Sequence, residues 1–416
     1  MKRRDFVRNG VIAAALLPFL NVLEACDDRS NEKNRVFVFI QLVGGNDGLN
    51  TLIPLDNYGN LVSARPNLFI PEHKVLPLKG THETGLHPSL EGIREMYAND
   101  LIGFVQGVGY EKPSYSHFRS ADIWLTGSAS STTLYTGWMA RFLENRYHPF
   151  SGSVPAFPPA IKVGETGTVL FEGSRMDLGL VIDPAVMDQE PERVYGSEAA
   201  VPDYAANELL SIKETLLQTE FYSKPMNEAL RVPFRHSTRY PEHGVNVLAD
   251  QLKTVAKLIH SGIGTSVYHV ELKGFDTHAR QVDNSNTTRG LHADLLAKLS
   301  QAVTCFWDDM VNMGREKEVA GLVFSEFGRR IASNASFGTD HGSSQPLMLF
   351  GANVQPGIVG KNPYIPNRVE WGDSVDMQHD FKSVYGSILK DWFRAKPSEM
   401  DSAVPFRGPE INLFRS

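Results

Sequence analysis

Arg35-Val36-Phe37-Val38-Phe39-Ile40-Gln41-Leu42-Val43-Gly44-Gly45-Asn46-Asp47-Gly48 holds the reading on which the fold turns. A near-continuous run of β-branched, aromatic and aliphatic residues is the habit of a strand buried on both faces, as in a parallel sheet. The glycines end it sharply and leave a carboxylate, Asp47, at the strand's carboxyl end. Working outward, Leu101–Val105, Thr265–Val270, Gly321–Phe324 and Pro346–Phe350 read the same way, each bounded by Gly, Ser, Asp or Asn clusters. Two helical stripes alternate with them: Val247, Leu248, Leu252, Val255, Leu258 and Ile259, then Leu291, Leu295, Leu299, Ala302, Phe306 and Met310. Strand and helix in alternation predict an α/β fold with a mainly parallel central sheet flanked by helices. Ligands in such folds bind outside the carboxyl ends of the strands.

The amino terminus is read as a processing segment. Lys2-Arg3-Arg4-Asp5-Phe6 precedes the short apolar run Val11–Leu20, the order of a twin-arginine export signal, and that run is too short for a membrane span. Leu23-Glu24-Ala25-Cys26 resembles a lipobox, with Glu24 unusual in it, so Cys26 is the expected lipidation site and residues 27–34 a polar tether. The expected organisation is residues 1–26 as signal, 27–34 as tether and 35–416 as one domain. The Pro- and Gly-rich stretch at about 149–241 is either an insertion capping the sheet edge or a plain continuation of the domain. The expected location is the periplasm or cell envelope, with a membrane anchor through Cys26.

The second cysteine, Cys305, lies in a helical stripe and reads as a small buried residue, which leaves no intrachain disulfide framework. Against 41 basic residues stand 48 acidic ones, a net charge of −7, which disfavours nucleic acid as a partner. No phosphate-cradling loop with a following Lys-Ser or Lys-Thr occurs, and no dinucleotide fingerprint.

The strand ends collect chemistry. Asp276-Thr277-His278 follows the third strand run, Glu326 the fourth, and Asp340-His341 precedes the fifth. Two residues apart in extended chain, Asp276 and His278 project to one side and can share a metal. With Asp47, Glu326, Asp340 and His341 they are enough for one or two divalent ions, zinc, calcium or magnesium. Ser116, after the second run, is a candidate nucleophile at a helix N-terminus or simply its N-cap, with His117 beside it as a second catalytic candidate. Arg119 and Arg329 are candidates to hold the oxygens of an anion, though a salt bridge is the commoner fate of an arginine.

Phe37 to Pro54, with Gly85-Leu86-His87-Pro88, Ser116-His117-Phe118, Thr136-Gly137-Trp138, Phe275–His278, Phe324–Arg329 and Gly338–Gly342, resembles the DUF1501 family, bacterial proteins of unknown function that commonly carry twin-arginine signals. That family is similar to the alkaline phosphatase and sulfatase superfamily. The resemblance implies an alkaline-phosphatase-like α/β sandwich with a metal site at the strand ends, Asp47 as its first metal carboxylate and Ser116 in the nucleophile's place. It further implies Asp276 with His278 as the next metal pair and His341 as the late metal histidine. The chain departs from the pattern at Ser325-Glu326-Phe327-Gly328, where Phe327 stands in place of a histidine and leaves a second metal under-coordinated. Asp340 fills that gap, or one cation is held, or the site is inactive. The function implied is metal-dependent hydrolysis of a phosphate or sulfate ester, on a small anionic ester or a sulfated or phosphorylated glycan. The alternatives are a mutase or transferase using the same site, and a non-catalytic binding or assembly protein that keeps the shell.

Overall fold

The computed structural model describes residues 35–147, 156–174, 177–183, 221–222, 224–405 and 407–415. The expected signal, the tether and Cys26 lie outside the described residues. So does the stretch from 184 to 220.

Nine strands form one sheet: β1 (Val36–Val43), β2 (Ile102–Gly109), β3 (Ala160–Val163), β4 (Gly179–Ile182), β5 (Val267–Lys273), β6 (Val319–Ser325), β7 (Gln345–Gly351), β8 (Gly357–Val359) and β9 (His379–Asp380). Their order is β8-β2-β7-β6-β1-β5-β3-β4, with β9 pairing further along β2. All pairings are parallel except those of β7, which runs antiparallel to both β6 and β2. β3 and β4 arise within the stretch expected as a cap or continuation. Its described part extends the sheet itself.

Side-chain alternation along β1 divides the core. Val36, Val38, Ile40 and Leu42 join the cluster built on helices α1 (Glu91–Ala98), α4 (Val247–His260) and α5 (Leu291–Met313). Phe37 and Phe39 face α2 (His117–Thr126), α3 (Trp138–Tyr147) and α6 (Phe381–Ser387), where Trp138 packs edge-on to Phe39 and stacks on Tyr385 at 4.1 Å. The predicted helical stripes are buried except at their first residues, Val247 and Leu291, which are exposed, and at Leu295, which is partly buried. Cys305 is buried and free, as its place in the stripe implied. Among the described residues no helix is long and apolar enough to cross a membrane.

The reversal of β7 decides where the chemistry collects. In a parallel strand the loop at the carboxyl edge follows the strand, but in an antiparallel one it precedes it. Asp340 and His341, just before β7, therefore arrive at the same edge as the residues after β1, β2, β5 and β6. The turn after β1 is held by close approach: at Gly44, φ is +124° and an added Cβ would lie 2.3 Å from the Asp276 backbone nitrogen. Gly44→Ala should cost at least ~2 kcal/mol, from the disfavoured φ and the backbone clash together. A urea-unfolding midpoint that barely moves would contradict this account of the turn.

Candidate functional site

Three imidazoles meet one carboxylate at this edge. His117, the first residue of α2, His278 after β5 and His341 before β7 place Nε2 at 3.4, 3.1 and 3.2 Å from Asp276 Oδ1. The ligand atoms of His117, Asp276 and His341 lie within 4.8 Å of one another. Each ring is oriented from behind. Glu326 Oε1 faces His117 Nδ1 at 2.7 Å, Asp340 Oδ1 faces His278 Nδ1 at 3.1 Å, and the Tyr115 carbonyl faces His341 Nδ1 at 2.7 Å. A carboxylate and a carbonyl only accept, so each Nδ1 carries a proton, and each ring turns its Nε2 inward toward Asp276. His278 Nε2 and His341 Nε2 lie 2.7 Å apart, so one ring donates to the other, or both turn to a shared cation.

His117, Asp276 and His341 can each offer one ligand atom to a single transition-type ion, with His278 Nε2 beside them, 2.7 Å from His341 Nε2. With metal–nitrogen bonds of about 2.05 Å, the ligand atoms of a tetrahedral zinc site stand about 3.3 Å apart, near the spacings around Asp276 Oδ1. Imidazole suits zinc, copper, iron or nickel, whereas calcium and magnesium prefer oxygen. Glu326 and Asp340 serve as the orienting carboxylates that commonly back metal-bound histidines.

Asp276 is half-exposed and held by Arg329, whose Nη2 donates to its Oδ1 at 2.8 Å. Burial works against ionising this carboxylate, but the bonds from Arg329 and His341 and the nearby positive charge bring it down to about 2. Hydrogen bonding to Glu326 is the largest effect on His117 and raises its pKa, while burial lowers that of His341.

Several sequence-named residues stand elsewhere. Asp47 does not join the cluster: it is fully buried, with both oxygens on Arg65 Nη1 at 2.9 and 2.7 Å and Oδ2 also taking a bond from Gln281. Glu326 and Asp340 face the histidines' Nδ1 atoms from behind, so neither points a free oxygen at the convergence. Arg329 is 1% exposed and donates to the carbonyls of Gly44, Gly45, Phe275 and Thr339, which leaves it closed to substrate. Arg119 is spent on Asp122 and the carbonyls of Ala129, Ser130 and Thr132. His117 faces the shared carboxylate as a third imidazole.

Ser116 is the N-cap of α2, yet its hydroxyl makes no capping bond and the residue is exposed. It lies between Tyr115, whose carbonyl orients His341, and His117. Phe327, which replaces the expected histidine, packs its ring 4.9 Å from that of His117 and 4.7 Å from that of His341.

Sequence reasoning missed the polar layer beneath. Gln281 Oε1 accepts from Thr277 Oγ1 and Thr339 Oγ1 at 3.0 and 2.8 Å, linking the two ligand-bearing loops to Asp47. His292, on α5, bonds Asn46 and lies edge-on to His87. Gln281 and His292 carry no local sequence signal.

Residues 243–381 match the model of a family described as Protein of unknown function (DUF1501). That segment contains Asp276, His278, Glu326, Asp340 and His341; Asp47 and Ser116 lie outside it. No curated protein matches the chain. Similar solved structures include the PsFucS1 sulfatase from Pseudoalteromonas sp., at 10% identity and TM-score 0.40 over 98% of this chain and 77% of that one. Alkaline phosphatase from the Antarctic bacterium TAB5 is similar at 9% identity and TM-score 0.33, over 76% and 92%. The C-terminal periplasmic domain of EcEptC from Escherichia coli, in complex with Zn, is similar at 9% identity and TM-score 0.35, over 78% and 75%.

The buried layer sets an acid limit on stability. Burial pushes His87 down to about 3 and His292 down to about 4, so both stay neutral in the folded chain while the unfolded chain protonates them below about pH 6.5. Their contribution to stability is full above about pH 6.5 and is lost as pH falls through that value toward the folded values. The urea midpoint should decline from about pH 6.5 downward, and less steeply in His292→Gln. Equal slopes in the two proteins would contradict the assignment.

Proposed function

We propose that this chain is an exported hydrolase of phosphate or sulfate esters that uses one zinc-class cation and a serine nucleophile. The observation that supports it is the convergence of three Nε2 atoms on Asp276 Oδ1, with each Nδ1 tied to an oxygen behind it. His117, Asp276, His278 and His341 would hold the ion. When bound, such an ion supplies positive charge that stabilises an anionic ester and lowers the pKa of a neighbouring hydroxyl.

The chain's own residues supply the rest. Ser116 offers an uncommitted hydroxyl at the N-terminus of α2, where unpaired backbone N–H groups favour a negative ester. Attack by Ser116 Oγ on phosphorus or sulfur forms a seryl ester, breaks the bond to the leaving oxygen and releases an alcohol that carries the serine's proton. Water then hydrolyses the seryl ester. Arg329 keeps Asp276 ionised, and Phe327 forms an apolar wall against two of the imidazoles while offering no donor to a second ion. A small anionic ester or a sulfated or phosphorylated glycan fits this charge pattern.

The engagement of both Arg119 and Arg329 favours a second reading, a binding or assembly protein that holds the ion without turnover. Two measurements separate them. The full chain should contain about one equivalent of zinc-class metal, lost in His278→Ala and bound about 10–100-fold more weakly in Glu326→Gln. Turnover of aryl phosphate or aryl sulfate should vanish in Ser116→Ala while the metal stays. Protein free of metal sinks both readings, and metal-loaded protein without turnover leaves the second.

Export through residues 1–26 and anchoring through Cys26 belong to the same proposal. The envelope-derived protein should have an intact mass beginning at an acylated Cys26. A soluble form that begins elsewhere would remove the anchor.

A further inference from the structure

Arg65 is the most enclosed cation among the described residues near the site. It follows the short helix Tyr58–Ala64, is 0% exposed, and its guanidinium touches only oxygen. Nη1 donates to both oxygens of Asp47, at 2.9 and 2.7 Å, and to Asn50 Oδ1 at 3.2 Å. Nε donates to the Ile331 carbonyl and Nη2 to the Arg330 carbonyl, each at 2.6 Å. The positive charge thus has five oxygens around it: a bidentate carboxylate, a side-chain amide and two backbone carbonyls.

That is the ligand chemistry of a hard divalent ion. Calcium takes about 6–8 oxygens of these same kinds and tolerates irregular geometry. The cage is separate in chemistry from the imidazole cluster, which suits a softer ion. It is also separate in supporting contacts, because no imidazole hydrogen-bonds Asp47 and the link between the two runs through Gln281 and the threonines it holds. A buried carboxylate needs a counter-charge, and the chain supplies one covalently.

We infer that Arg65 is a built-in cation filling a latent calcium-class site formed by Asp47, Asn50 and the carbonyls of Arg330 and Ile331. Taken with the one-ion reading above, this gives the native chain one exchangeable ion, at the imidazoles, and a fixed positive charge in the second position. The inference extends the one-ion reading above but does not depend on hydrolysis or on that ion being bound. It also explains why Phe327 is tolerated: no second ion needs a histidine there.

The test compares the chelator-treated full chain with Arg65→Ala and with Arg65→Ala/Asp47→Asn, measuring calcium uptake by titration calorimetry and melting temperature with and without calcium. The native chain should take up no calcium and show no shift. Arg65→Ala should melt lower, take up about one equivalent of calcium and recover by several degrees when it is added. The double variant should take up none. Arg65→Ala that binds no calcium, or that stays unfolded with calcium present, overturns the inference, as does a native chain that binds calcium in an Asp47-dependent way. Repeating the measurement with His278→Ala added should leave the calcium result unchanged, which separates failure here from failure of the imidazole site.

Discussion

One guanidinium, that of Arg329, holds the carboxyl edge of the sheet in its working arrangement. From a position with almost no exposure it binds the carbonyls of Gly44 and Gly45 after β1, of Phe275 after β5 and of Thr339 before β7, and it ends on Asp276. Three segments that share no local sequence relation are thereby fixed to one planar group. Removing one partner of a buried charge of this kind typically costs about 3–5 kcal/mol. The consequence for chemistry is positional: Asp276 is the oxygen that all three imidazoles face, and Arg329 sets where that oxygen lies.

A second arginine does comparable work one layer below. Arg65 ties Asp47 to the backbone of residues 330 and 331, and Gln281 carries the connection upward to Thr277 and Thr339, which flank the ligand-bearing residues of two loops. On the proposed reading the edge contains two positions for positive charge, distinguished by donor type. Oxygen surrounds the lower one and nitrogen lines the upper one. Because hard and borderline cations sort by donor, the two positions would not compete for the same ion even if both were open.

Much of this architecture was legible in the sequence. Runs such as Val36–Val43 and Val319–Ser325 are apolar on both faces, which marks central strands without further information, and the rule that ligands lie beyond strand ends directed attention to Asp276, His278 and His341. The reversal of β7 was not legible, because Pro346–Phe350 has the same composition in either direction. The partners of Asp47 were hidden for a similar reason: Arg65 sits in Ser63-Ala64-Arg65-Pro66, an ordinary helix end, and only tertiary structure turns it inward. Glu326 and Asp340 were recognised as site residues, but whether a carboxylate faces a metal or the back of a histidine depends on side-chain direction. The short strands Ala160–Val163 and Gly179–Ile182 were obscured by the Pro- and Gly-rich sequence around them.

The proposed chemistry rests on one ion bound among His117, Asp276, His278 and His341. Anomalous diffraction from crystals of the full chain grown with zinc, recorded on both sides of the zinc absorption edge, tests it most directly. One strong peak should appear, bounded by the three Nε2 atoms and the Asp276 carboxylate, with Arg65 still on Asp47. A map with no peak there, or with its peak at Asp47 and Arg65 displaced, would contradict it.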